Sequence, residues 1–139
     1  MPSQAEICID IRALGPSGIE EYYAHLLRLD RTNCFPVPDR SAIDSHCLRL
    51  LSAGAILVGA YVDGVMRAAA EIVPDRTARE AEAAITVEAG FDDRNFRRML
   101  TERIIDEARR YHLNKLRVLE HRLATNFRVA ETQAYVANG

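Results

Sequence analysis

The sequence predicts an α+β fold: a mixed, mainly antiparallel sheet flanked by helices, in the order β-α-α-β-β-β-α-β-α. Three observations carry this. Two amphipathic helical stretches follow the first strand, a run of three strands with only short turns between them fills the middle, and a long helix then leads into one more strand. A meander followed by a strand–helix–strand crossover makes a mixed sheet. It is not the strict alternation of a doubly wound fold.

The elements follow in order. Ile7 to Arg12 alternates apolar Ile7, Ile9 and Ile11 with Cys8, Asp10 and Arg12, the period of a half-buried strand. Gly15-Pro16-Ser17 breaks it and starts a helix. Glu20 and Glu21 fall in its first turn and Arg28 in its last, which suits the helix dipole. Ile19, Tyr22, Tyr23, Leu26 and Leu27 form its buried stripe. Asp30 to Asp39 contains Phe35-Pro36-Val37-Pro38 and must be irregular, because proline donates no backbone hydrogen bond and restricts its predecessor. Ser41 can cap a second helix running to about Ser52, with Ile43, Cys47, Leu50 and Leu51 inward.

Ala55 to Val62 is apolar on both faces, so both faces are expected to be covered. Asp63-Gly64 favours the left-handed turn of a tight hairpin, and Val65 to Val73 returns as the partner strand. Pro74-Asp75-Arg76 turns again into a third strand, Glu80 to Val87. After Glu88-Ala89-Gly90-Phe91, a helix begins at Asp92 or Asp93. Its stripe of Phe96, Met99, Leu100, Ile104, Ala108 and Tyr111 recurs at helical spacing. Leu116 to Glu120 is the next strand, and Asn126 to about Ala137 is expected to be a last helix.

Composition narrows the class. The 139 residues carry 18 basic and 20 acidic side chains, a net charge of −2, with 48% apolar and 27% charged residues. That is an ordinary globular balance for one domain, here residues 1–139. It is too acidic for a nucleic-acid binder that relies on overall charge. The longest apolar run, Ala53 to Val62, is ten residues, too short to span a bilayer. The start, Met1-Pro2-Ser3-Gln4-Ala5-Glu6, does not read as a signal peptide. Cys8, Cys34 and Cys47 form no CxxC pair, which argues against a disulfide framework or zinc knuckle and fits a cytoplasmic setting. The histidines lack metal-ligand spacing, so no metal site is expected.

Within this order, Val58-Gly59-Ala60-Tyr61-Val62-Asp63-Gly64-Val65 is similar to the second–third strand hairpin of the GNAT family of N-acetyltransferases. Ala84-Ile85-Thr86-Val87 sits where that family's fourth strand ends. Leu100, Ile104, Ile105, Asp106, Glu107 and Ala108 match its third helix. The resemblance covers roughly residues 5 to 139 and lacks the family's last strands. It implies an acetyl-CoA-dependent N-acyltransferase acting on a small-molecule or peptide amine. The alternative is a catalytically inactive GNAT-fold module for ligand binding or protein contact.

The family holds acetyl-CoA with a Q/R-x-x-G-x-G/A loop opening that helix, where backbone N–H groups meet the pyrophosphate. Here Asp92-Asp93-Arg94-Asn95-Phe96-Arg97 falls on the motif. Asp92 replaces the Gln or Arg, and Asn95 and Arg97 replace the small residues. The aspartates can cap those N–H groups and repel phosphate. Against that, Arg94, Arg97 and Arg98 crowd the positive end of a helix, a mildly costly arrangement unless an anion sits there. The resemblance implies cofactor contacts from Arg94, Asn95, Phe96 and Arg97, from the strand-end backbone at Ile85, Thr86 and Val87, and from Asn126.

Amine acetylation needs a base for the ammonium and an acid for the thiolate. The resemblance points to Glu82 as base, with Glu71 on the neighbouring strand as a second candidate, and to Tyr135 as acid. Both glutamates also fit a solvated strand face, and Tyr135 fits a packed helix aromatic. Asn126 and Tyr135 are spaced more widely than in the family. Cys34 reads as an inert thiol, with His25 and His46 free of any spacing that would activate it. A chain stopping here leaves the fifth strand at a sheet edge, so a homodimer in which a second copy covers that edge or the last helix is expected.

Overall fold

The computed structural model describes residues 8–15, 18–29, 40–91, 94–120 and the backbone of 123–127. Nine elements follow one another: β1 (Ile9–Leu14), α1 (Ile19–Leu27), α2 (Arg40–Ser52), β2 (Ile56–Val62), β3 (Val65–Asp75), β4 (Glu80–Val87), α3 (Arg94–Arg110), β5 (Lys115–Glu120) and β6 (Leu123–Phe127). The strands form one sheet in sequence order, β1-β2-β3-β4-β5-β6. Every pairing is antiparallel except β4–β5, which is parallel because α3 crosses between them.

The sheet separates two apolar cores. On one face Val58, Ala60, Ala68, Ala70, Ile72, Ala83, Leu116 and Val118 meet Phe96, Leu100, Ile104 and Ala108 of α3. These four follow the predicted stripe, whereas Met99 and Tyr111, expected on it, lie at its margins and are exposed. Burying each large residue of the four stabilises by about 1.5–3 kcal/mol. On the other face Leu57, Tyr61, Met66 and Ala69 meet Tyr22 and Leu26 of α1 and Ile43, Cys47 and Leu50 of α2. β2 is buried on both faces, as its unbroken apolar run requires.

Turn chemistry sets the register. Asp63 (φ 51°) and Gly64 (φ 85°) both take left-handed conformations and join β2 to β3. The ladder slips between Ala60 and Tyr61: Ala60 pairs Ala68 and Tyr61 pairs Met66, so Arg67 has no partner on β2. Such a bulge re-aims a side chain, and Arg67 becomes part of the site below.

The chain end departs from expectation. Leu123–Phe127 is a strand, not the start of a helix at Asn126, and it pairs with β5 from Leu116↔Phe127 to Glu120↔Leu123. β5 is therefore not an edge strand, and the sheet does not stop at five strands. Thr125 and Phe127 are residue types that favour strands. Pairing also satisfies the row of backbone groups that β5 otherwise exposes. The first strand is shifted too, to Ile9–Leu14. The aspartates Asp92 and Asp93, Cys34 and the 30–39 stretch, and Tyr135 lie outside the described residues.

Candidate functional site

β4 outlasts its parallel partner. The β4–β5 ladder runs from Glu80↔Lys115 to Ile85↔Glu120, whereas β4 continues through Thr86 and Val87, paired only with Ala69 and Ala68 of β3. From Thr86 onward the β5 side of β4 carries no strand pairing among the described residues. The chain then turns through Glu88 to Phe91 and enters α3. An open strand side thus lies next in sequence to a helix N-terminus, where unpaired N–H groups favour an anion. The described first turn of α3 contains no acid, and it carries Arg94 and Arg97.

A buried polar cluster fixes that strand end. Glu88, 4% exposed, accepts hydrogen bonds from Arg67 Nη1 (2.9 Å) and from Arg28 Nε (3.1 Å to each oxygen). His25 of α1 is fully buried. Its Nδ1 lies 2.9 Å from Glu88 Oε2 and its Nε2 2.8 Å from Thr86 Oγ1. Burial alone pushes the Glu88 carboxyl up, but the hydrogen bonds from His25, Arg28 and Arg67 outweigh it and hold it at about 2. The carboxylate is therefore ionised at any ordinary pH. Arg28 Nη2 also donates to Met66 O at 2.8 Å, and Glu88 N to Arg67 O at 2.9 Å. The arginines keep partial exposure, 38% and 29%, while Glu88 is buried.

A second cluster lies on the same face. Glu71 of β3 is paired with Leu57 and Ala84, and its side chain points under α1 and α2. One oxygen, Oε2, accepts a hydrogen bond from the Tyr22 hydroxyl and lies 2.7 Å from His46 Nε2. Glu71 and His46 side chains are 10% and 13% exposed. A carboxylate this deep is costly unless hydrogen-bonded. Burial first, then the charges of Glu71 and Asp44, push the Cys47 thiol up, so Cys47 is a neutral apolar neighbour and not a nucleophile. Glu82 projects to the same face from β4 but is about half exposed, 3.6 Å from Arg117 on β5.

No family model matches this sequence, and no curated protein matches it. Solved structures do match. A GNAT-family acetyltransferase from Streptococcus pneumoniae superposes with a TM-score of 0.62 at 18% identity, covering 80% of this chain and 74% of that one. The PaiA N-acetyltransferase of Thermoplasma acidophilum, solved with coenzyme A, gives 0.61 at 15% identity over 95% and 89%. The spermidine N-acetyltransferase of Vibrio cholerae, solved with CoA and spermine, gives 0.61 at 17% identity over 79% and 69%. The chain has the GNAT fold. At these identities the likeness is one of architecture.

On this GNAT fold the expected cofactor residues do not behave alike. Thr86 and Val87 lie beyond the β4–β5 ladder, whereas Ile85 is still inside it and buries its side chain in the α3-side core. Arg94 and Asn95 are exposed and, with Ile9, Phe96 and Met99, line a groove of about 540 Å³. The Phe96 ring is 3% exposed and packs in the core, so only its backbone can face a ligand. Arg97 is half-buried. Asn126 is on β6 opposite Arg117, not on a helix beside the cofactor arm. Among the described residues no group of His, Cys, Asp or Glu is arranged to hold a metal, and no helix is long and apolar enough to cross a membrane.

The two clusters were only partly legible beforehand. Glu71 stood out as a strand carboxylate. His25 lies three residues from Tyr22 on the apolar stripe of α1, and that spacing was the available signal that it is buried. Glu88 gave none, because its partners are 21 to 63 residues away.

Proposed function

We propose that the chain transfers an acetyl group from acetyl-CoA to an amine on a small molecule or peptide. One observation carries the reading: among the described residues the β5 side of Thr86 and Val87 carries no strand pairing, just before an arginine-bearing helix start. An extended amide-containing arm can pair with that strand side as an added strand. Its diphosphate would then meet the N–H groups of α3, with Arg94 and Arg97 supplying charge.

The reaction needs one proton acceptor and one donor. The substrate ammonium loses a proton to a carboxylate, and its nitrogen attacks the thioester carbonyl carbon. A C–N bond forms, the C–S bond breaks, and the leaving thiolate takes a proton. Glu82 and Glu71 are the two candidate acceptors. Glu71 is better placed, because it is shielded from water and holds His46 at 2.7 Å to pass the proton outward. Glu82 is exposed to solvent and faces Arg117. Tyr135 is the proposed donor to the thiolate.

Calorimetric titration with acetyl-CoA tests the reading. Heat and a raised melting temperature are expected; neither heat nor a shift retires the enzyme. The second reading, a non-catalytic module on the same fold, draws on Asn95 and Arg97 standing where small residues would admit a phosphate. Replacing both by Gly tightens acetyl-CoA binding under this second reading, whereas under the first the lost Arg97 charge weakens it.

We further propose a cytoplasmic protein that forms a homodimer. With β5 covered by β6, the edge strands among the described residues are β1 and β6. A monomer in size-exclusion chromatography at high concentration would refute the dimer.

A further inference from the structure

We propose that His25, Arg28 and Arg67 act through Glu88 and Thr86 as a clamp that holds the end of β4 and the following turn in place, so the cleft beside α3 is built before any ligand arrives. The part of this that concerns acetyl-CoA rests on the function proposed above; the clamp itself does not.

The physical need is specific. Among the described residues, Thr86 and Val87 have no partner in the β5 ladder that steadies the rest of β4. A strand end paired on one side only frays, and the turn after it inherits the motion. Here α1 and β3 supply the missing restraint. His25 bridges two residues of the segment, Thr86 through one ring nitrogen and Glu88 through the other. Arg28 ties Glu88 to the Met66 carbonyl on β3. Arg67, freed from β2 by the bulge, reaches Glu88 with its guanidinium and receives the Glu88 N–H on its carbonyl. The same guanidinium lies 4.8 Å from the centre of the Phe91 ring. Phe91 N then closes the turn on Glu88 O at 3.1 Å. The turn is thus tied to α1 and to β3, and α3 begins three residues beyond Phe91.

The geometry separates clamp from plain core packing. The side-chain bonds of His25 and most of those of Arg28 and Arg67 converge on Glu88 or Thr86; Arg28 also reaches the Met66 carbonyl and Arg67 the Phe91 ring. Loosening the clamp is therefore a local event. These are positioning residues, and none is assigned contact with the reacting atoms.

Site-resolved amide hydrogen exchange on the full chain tests this. In Glu88→Gln the Glu88-position and Phe91 amides are expected to exchange at least tenfold faster, with Ala70 and Ile72 of β3 and Leu100 and Ile104 of α3 unchanged. Arg28→Lys, which keeps a charged donor, is expected to restore most of the protection lost in Arg28→Ala. If Glu88→Gln does not fold, Thr86→Val removes one hydroxyl without changing shape and gives the same local pattern at smaller size. Unchanged exchange at the turn, or acceleration shared equally with β3 and α3, overturns the clamp. In parallel, acetyl-CoA affinity should fall at least tenfold in Glu88→Gln. A wild-type chain that takes up no acetyl-CoA refutes the transferase reading and leaves the exchange result to stand or fall alone.

Discussion

At the scale of single residues, Glu88 is the most constrained group in the described structure. Its carboxyl is held at about 2, against an ordinary 4.5. A depressed carboxyl contributes stability that is fully present above 4.5 and lost as pH falls towards 2 and below. Acid unfolding of the wild type should therefore steepen across that window, and Glu88→Gln should flatten it; equal slopes in a urea-melt series between pH 2 and 4.5 would contradict the pairing. Glu88→Ala leaves the fully buried His25 without its carboxylate while the partly exposed arginines regain water, and about 1–3 kcal/mol of stability is expected to go. For the chemistry, Glu71→Gln is expected to lower acetyl transfer by about 10²-fold or more. Glu82→Gln, on an exposed side chain, should cost much less. Steady-state rates of thiol release from acetyl-CoA with an accepted amine compare the two, and the reverse order would move the base to β4.

At the scale of elements, α3 shows how far periodicity reaches. Its stripe of Phe96, Leu100, Ile104 and Ala108 was readable because burial on one helix face leaves a mark every three or four residues. Leu100→Ala should cost about 2–5 kcal/mol, measurable by chemical denaturation, while Leu48→Ala, at a side chain 64% exposed, should change stability by under about 0.5 kcal/mol. The Asp63-Gly64 hairpin was equally plain, because only a few residue types accept two left-handed positions in a row. β6 was not. Leu123 to Phe127 shows no polar-apolar alternation, and the deciding factor is the side of β5 that it pairs with, which local sequence does not display. The bulge at Arg67 is similar: a slip in the ladder depends on two strands at once.

At the scale of the whole molecule, the sheet order and its two cores followed from element order, and the GNAT architecture with them. The site was less legible. Thr86 and Val87 were legible as the end of β4, because strand ends follow from the local pattern and its turn. The polar clusters could not, since α1, α2, β3 and β4 must first assemble to bring Tyr22, His25, His46, Glu71 and Glu88 together. Assembly also sets the charge placement: buried Glu71 and Glu88 lie on the α1–α2 side, buried Glu107 lies on α3, and Arg94, Asn95 and the half-buried Arg97 mark the opening of α3. Amide chemical-shift mapping of the full chain during an acetyl-CoA titration probes that arrangement most directly. The expected result is saturable shifts centred on Thr86, Val87 and the 94–97 turn. Shifts confined to the apolar groove between α1 and α2, around Leu48 and Leu51, or no shifts at all, would contradict it.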